Sequence, residues 1–94
     1  MIMTFACKRT EVFFRRGKAM GFLSGQIREI ASRKLQMLHF AAEVIDLRVP
    51  PGNQLETLKG DRAGQYSIRI NRQYRICFRF EGGNAYDVEI VDYH

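Results

Sequence analysis

The chain closes on Asp92-Tyr93-His94, a carboxylate, a phenol and an imidazole in a row at the end of an apolar strand pattern. Leu58-Lys59-Gly60-Asp61-Arg62 lies upstream. Tyrosine and histidine can act as general acid or base, and basic side chains can hold a phosphate. Cleaving RNA without a metal needs these types. A base takes the proton of a 2′-OH, cations hold the scissile phosphate as its charge builds, and an acid protonates the departing 5′-oxygen. Position and electrostatics supply most of the acceleration. Lys59, Arg62, Arg69 and Arg75 are the candidate phosphate holders, and Tyr93 and His94 the candidate proton-transfer groups. Asp92 could orient His94 or act as base itself, and Glu56 is a further acid/base candidate. Singly, each has an ordinary explanation: a polar turn for the Lys59 segment, a solvated strand residue for Glu56, ring packing on a sheet edge for Tyr93. The signal is the combination.

Fifteen Lys+Arg against ten Asp+Glu give the 94-residue chain a formal charge of +5, which favours a polyanionic partner. The length suits one small domain, 1–94. Cys7 and Cys77 are too few and too far apart for a disulfide framework or a zinc cluster, so no metal and no cofactor are expected. Two reduced, packed cysteines fit a cytoplasmic protein, as does the lack of a signal-peptide pattern or a membrane-length apolar run. The P-loop, GxSxG and HExxH signatures are also missing.

The elements that must position these residues follow an α+β order, helical signals first and strand signals after. Residues 2–6 read as a short strand. Residues 8–16 read as a helix with Val12 and Phe13 inward and Gly17 as its stop. Ser24 is a candidate N-cap for a longer helix over 25–46, whose apolar face is Ile27, Ile30, Ala31, Leu35, Leu38, Ala41, Ala42 and Ile45. Arg28, Arg33, Lys34 and Glu43 lie mostly off that face, and His39 reads as structural. Pro50-Pro51-Gly52-Asn53 opens a loop, and residues 54–58 could form an edge strand. Three period-2 strands follow, with Tyr66, Ile68, Ile70, then Tyr74, Ile76, Phe78, Phe80, then Tyr86, Val88, Ile90 on the apolar face.

Opposed residues in an antiparallel pair share a face, so this even-numbered apolar set predicts odd-length turns. Ile70 then faces Tyr74, Phe80 faces Asn84 and Phe78 faces Tyr86, and two-residue turns are disfavoured. The same register sets Arg69 against Arg75 on the polar face. Opposed like charges cost up to about 1 kcal/mol unless an anion visits or both side chains splay into water.

Pro50-Pro51-Gly52-Asn53, Leu58-Lys59-Gly60-Asp61-Arg62-Ala63-Gly64, Tyr66-Ser67-Ile68-Arg69-Ile70-Asn71, Tyr74-Arg75-Ile76-Cys77-Phe78 and Val88-Glu89-Ile90-Val91-Asp92-Tyr93-His94 resemble HigB toxins of the RelE/ParE superfamily. The resemblance runs from Phe5 to His94 and is densest after Pro50. It implies two N-terminal helices packed on a mostly antiparallel twisted sheet, the microbial ribonuclease-like fold. It implies a bacterial type II toxin that cuts mRNA in the A site of the 70S ribosome and leaves a 2′,3′-cyclic phosphate. The implied partner is a HigA-like antitoxin with a helix-turn-helix domain, whose complex with the toxin binds operator DNA. Lys59, Arg75, Asp92, Tyr93 and His94 carry over as functional positions, with Arg62 and Arg69 as weaker phosphate contacts. Some HigB toxins have histidine where this chain has Glu56. A carboxylate is a weaker base near neutral pH unless its pKa is raised, which implies either slower cleavage or a reaction that rests more on Tyr93 and His94. A ParE-like gyrase poison and a non-catalytic ribosome- or RNA-binding growth inhibitor are the rival functions. Phe14, Met20 and Phe22 are candidates for an exposed antitoxin-binding face, or for cover of a small core.

Overall fold

The computed structural model describes residues 1–18, 21, 23 and 25–93. Helix α1 spans Lys8–Arg16, and Gly17 ends it in the left-handed conformation (φ 70°), its N–H donating to the Phe13 carbonyl. Phe13 is buried and Val12 half-buried. Helix α2 spans Gly25–Phe40 and buries Ala31, Leu35 and Leu38. The strands are β1 (Glu56–Thr57), β2 (Tyr66–Arg69), β3 (Tyr74–Glu81) and β4 (Asn84–Asp92), in one antiparallel sheet ordered β1-β2-β3-β4. The α+β class and the two-helix, antiparallel-sheet architecture are as expected. Among the described residues, no helix is long and apolar enough to cross a membrane.

Helix α2 stops six residues before the expected 46. The Asp46 carboxylate accepts the backbone N–H groups of Ala42 and Glu43, both at 3.0 Å, and opens a separate 3-10 turn, Val44–Arg48. Ala41 stays buried, but Ala42 and Ile45 are exposed. The Ser24 cap lies outside the described residues. His39 is structural: its Nδ1 accepts the Ile2 N–H at 3.1 Å, and its ring lies between Phe14 and Phe40. Phe14 is half-buried and packs on the core, so it is no exposed anchor; Met20 and Phe22 lie outside the described residues.

The loop from α2 to the sheet is built around Asn53, which is wholly buried. Its Nδ2 donates to the carbonyls of Leu47 (3.1 Å) and Val49 (3.4 Å), and its Oδ1 accepts from Lys34. Lys34, expected off the core face, is half-buried here. Burial, with Arg33 beside it, holds its ammonium below the usual lysine range. Asn53 thus fixes the segment that delivers Gln54 and Glu56 to the sheet.

Strands β2 and β3 keep the expected register, with Ile68 against Ile76 and Arg69 against Arg75. The β3–β4 hairpin does not. Its turn is the two residues Gly82-Gly83, since Glu81 pairs with Asn84 and Phe80 with Ala85. Both glycines have positive φ (56° and 82°), which a two-residue type I′ turn requires. Tyr86 therefore pairs with Arg79 on the polar face, and the Arg79 guanidinium carbon lies 5.3 Å from its ring centroid. A bulge between Cys77 and Arg79, at Asp87 with φ 54°, then adds one residue to β4. Beyond it Ile76 faces Ile90 and the expected parity returns. Residues 2–6 run parallel to β4 through two isolated bridges, Ile2 to Ala85 and Phe5 to Val88, rather than as a full strand.

Gly83 approaches the α2 end closely: a Cβ there would stand 3.3 Å from the Ala42 carbonyl oxygen. Gly83→Ala is expected to cost about 1–2 kcal/mol, mainly from the left-handed backbone. Gly82→Asn, in open space, should cost less than half of that. Thermal unfolding of both variants checks this, and equal melting temperatures would refute it.

Candidate active site

Arg75 is the centre of the polar face. It is 7% exposed, unusual for a guanidinium, and the protein surrounds one edge of it. Its Nε donates to Ser67 Oγ at 2.7 Å, and its Nη2 donates to the carbonyls of Gln54 and Ser67. Gln54 turns its carbonyl inward from a left-handed backbone, φ 45°, which a residue with a Cβ adopts only under local strain. Nη1 faces outward, with Glu56 Oε1 at 3.9 Å. The Tyr93 ring centroid lies 5.9 Å from the guanidinium carbon, a cation–π distance, and Tyr93 is 43% exposed.

Arg75 and Tyr93 meet at a shallow cavity of about 280 Å³ lined also by Gln54, Arg69, Asn71 and Arg72, while Glu56 lines a neighbouring cavity of about 470 Å³ with Leu55, Thr57 and Tyr66 and reaches the site only through Arg75 Nη1. Arg69 and Arg72 have no carboxylate within ion-pair distance among the described residues. Three guanidiniums around one cavity whose lining holds no carboxylate suit an anion. A larger cavity of about 540 Å³ lies beside α1 and α2, lined by Phe13, Gly17, Arg28, Glu29, Ser32 and Arg33, and holds no comparable pairing of cation, carboxylate and phenol.

The end of β4 is tied down. The Tyr93 N–H donates to the Gln73 carbonyl at 2.6 Å, and Gln73 Nε2 donates to Asp92 Oδ2 at 3.2 Å. Asp92 pairs with Tyr74, so by alternation it falls on the opposite sheet face from Arg75. His94 lies outside the described residues. Lys59 is exposed ahead of the 3-10 turn Gly60–Arg62 and is not part of the cavity lining. Arg62 is engaged elsewhere on the polar face, its Nη2 2.8 Å from Glu89 and its Nη1 3.1 Å from Gln65. Burial is the largest single influence and opposes its charge, but the Glu89 bond and the negative charge of Glu89 and its neighbours together outweigh it and raise its pKa. The structure thus brings Arg75, Arg69 and Tyr93 together at the cavity, places Glu56 beside Arg75 but outside the cavity lining, and sets Lys59, Arg62 and Asp92 apart from it. Gln54, Ser67, Asn71, Arg72 and Gln73 join the site although the sequence reading did not place them there. Only Arg72, in the loop between two arginine-bearing strands, carried a charge signal that pointed to it.

Residues 3–94 match the family described as RelE-like toxins of the type II toxin–antitoxin system HigB. The chain belongs to the HigB-like toxins. It is 39% identical over 85 residues to "Toxin HigB-1" of Vibrio cholerae serotype O1, covering 90% of each chain. It is 35% identical over 94 residues to "Endoribonuclease HigB" of Proteus vulgaris, covering 100% of each. The fold also matches a "YoeB-YefM complex from Staphylococcus aureus" with a TM-score of 0.61 at 18% identity, covering 100% of this chain and 95% of that one. The HigB resemblance and the fold it implies are therefore borne out, and this HigB-like chain is a homologue of an endoribonuclease.

Proposed function

We propose that this HigB-like toxin is a ribosome-dependent endoribonuclease that cuts mRNA in the A site without a metal and is neutralised by a HigA-like antitoxin with a helix-turn-helix domain. The observation that carries the nuclease reading is the outward Nη1 of Arg75, flanked by the Glu56 carboxylate and the Tyr93 phenol beside Arg69 and Arg72. Arg75 takes a non-bridging oxygen of the scissile phosphate, where negative charge grows as the 2′-oxygen adds. Arg69 and Arg72 hold that phosphate or its neighbour. The 2′-OH gives its proton to the base as the 2′-O–P bond forms. The P–O5′ bond then breaks, and the 5′-oxygen takes a proton from the acid. Glu56 and Tyr93 flank the phosphate and are assigned these transfers, Glu56 as base. His94, next in the chain, shares the acid role. Lys59, Arg62 and Asp92 belong to the reading as longer-range contacts to RNA and as support for the C-terminal strand. Antitoxin binding, operator repression and a cytoplasmic location follow from the family rather than from this geometry.

The deciding experiment maps mRNA ends on programmed ribosomes and on the same mRNA free in solution. Codon-positioned cuts with 2′,3′-cyclic phosphate ends, on ribosomes only, are expected. Intact mRNA at protein concentrations that arrest growth would overturn the reading and turn attention to gyrase. Glu56→Gln keeps the shape and removes the base, and is expected to slow cleavage about 10²-fold. A rate within about threefold of wild type would take the base role away from Glu56.

A further inference from the structure

We infer that Ser67 is a positioning residue for Arg75: its buried hydroxyl, together with the Gln54 carbonyl, occupies one edge of the guanidinium so that only Nη1 is offered to an anion. The inference rests on the proposed nuclease reading for its catalytic meaning. The geometry stands on its own.

A guanidinium has five N–H donors in a planar fork and can rotate to present different pairs of them. In Arg75 the Nε–H and both Nη2 donors point to protein acceptors: Ser67 Oγ, the Gln54 carbonyl and the Ser67 carbonyl. Two donors are left, both on Nη1, and Nη1 faces Glu56 and the solvent side. Ser67 can do this because of its place in the sheet. It pairs with Glu56 on β1 and with Cys77 on β3, so Arg75, two residues before Cys77, is its diagonal neighbour on the same face. Ser67 is wholly buried, where a hydroxyl is costly unless it is hydrogen-bonded, and Arg75 is the partner it has. Without that hydroxyl the Nε–H loses its acceptor. The nearby acceptor that can replace it is the Glu56 carboxylate, and a rotation toward Glu56 would draw the guanidinium off the phosphate and occupy the base at the same time.

The test uses Ser67→Ala and Ser67→Thr, each in the wild-type and the Arg75→Lys background, with thermal melting as a folding control. Lysine has no Nε–H for the hydroxyl to hold. In single-turnover cleavage on mRNA-programmed ribosomes, Ser67→Ala is expected to lower the rate about 10–50-fold with KM within about threefold, because the lost orientation acts in the transition state. Ser67→Thr restores the hydroxyl and is expected to recover the rate to within about threefold. In the Arg75→Lys background, Ser67→Ala should add less than about twofold. A second readout needs no RNA: the Arg75 Nε–H signal in nitrogen-15 spectra, expected to exchange slowly in wild type and Ser67→Thr and rapidly in Ser67→Ala. An unchanged rate for Ser67→Ala, or an equal further loss in the Arg75→Lys background, would overturn the inference. If the wild-type protein cuts no mRNA, the nuclease reading fails and the Nε–H signal decides alone. Its survival in Ser67→Ala overturns the positioning role, and its loss in Ser67→Ala upholds it. Should Ser67→Thr melt early from its added methyl, the Ala variant and the Lys background still decide.

Discussion

Arg75→Ala is expected to lower the rate of the proposed mRNA cleavage on programmed ribosomes by about 10²–10³-fold, the usual effect of removing one preorganised donor from a developing oxyanion. The expectation follows from burial and from the anchors. A guanidinium held by Ser67 and Gln54 needs no reorganisation when the phosphate charge develops. Arg75→Lys keeps the charge but loses the planar fork and its anchored edge, so it should still cost about 10–100-fold. The loss should fall mainly on kcat, with Arg69 and Arg72 still attracting the RNA backbone. The substitution relieves the repulsion of the directly opposed Arg69 but leaves the buried Ser67 hydroxyl and the Gln54 carbonyl without their donor, so some stability is lost along with the rate. Thermal melting of the variant controls for this. A folded Arg75→Ala protein that cuts within about threefold of wild type would remove Arg75 from the catalytic site.

Phe78→Ala carries the largest expected effect on stability. Phe78 is wholly buried, pairs with Tyr66 across β2–β3 with ring centroids 6.0 Å apart, and meets Phe80 at 6.4 Å. Truncating such a ring costs about 3–5 kcal/mol, the transfer free energy plus the cavity left behind. A domain of this size has a total stability of about 5–14 kcal/mol, so the variant keeps a small margin and its melting temperature drops by about 15–30 °C. Phe78→Leu fills most of the space and should lose less than half as much. Urea unfolding measures both, and a loss below about 1.5 kcal/mol for the alanine variant would contradict the packing described. The two substitutions separate the two faces of β3, since one removes chemistry from a folded protein and the other removes the fold.

Much of the architecture was legible. Helix α1 and its Gly17 stop followed from local signals, and so did the β2–β3 register, because an even-numbered apolar face permits only odd turns there. From that register came the opposition of Arg69 and Arg75, which the structure shows beside one cavity. Two features were not legible. The end of α2 is decided by Asp46 reaching back to Ala42 and Glu43, and a helical face that continues through Ala41, Ala42 and Ile45 conceals that break. In the β3–β4 hairpin, the glycine pair allowed a two-residue turn that the hydrophobic pattern argued against, and the compensating bulge at Asp87 has no hydrophobic signature. The anchors of Arg75 escaped for a related reason. Ser67 and the Gln54 carbonyl reach it across strands and across a loop, and a buried serine in a strand looks like any other polar alternation. Gln73, which ties Asp92 and Tyr93, is likewise visible only once the strands are paired.

The Asp87 bulge and the Gly82-Gly83 turn behave as two frameshifts that cancel. The short turn puts β4 one count out of phase with β3, and the extra residue puts it back. Everything downstream is read in the restored frame, including Tyr93, whose odd number sets it on Arg75's side of the sheet. Were only one of the two present, the phenol would emerge among the core residues and an even-numbered neighbour would take its place over the guanidinium. Turn length and bulge are therefore a linked pair of characters. The hairpin can lose or gain a residue at one of them only by answering at the other, and a site formed on β3 stays matched to the last residues of the chain by arithmetic as much as by contact.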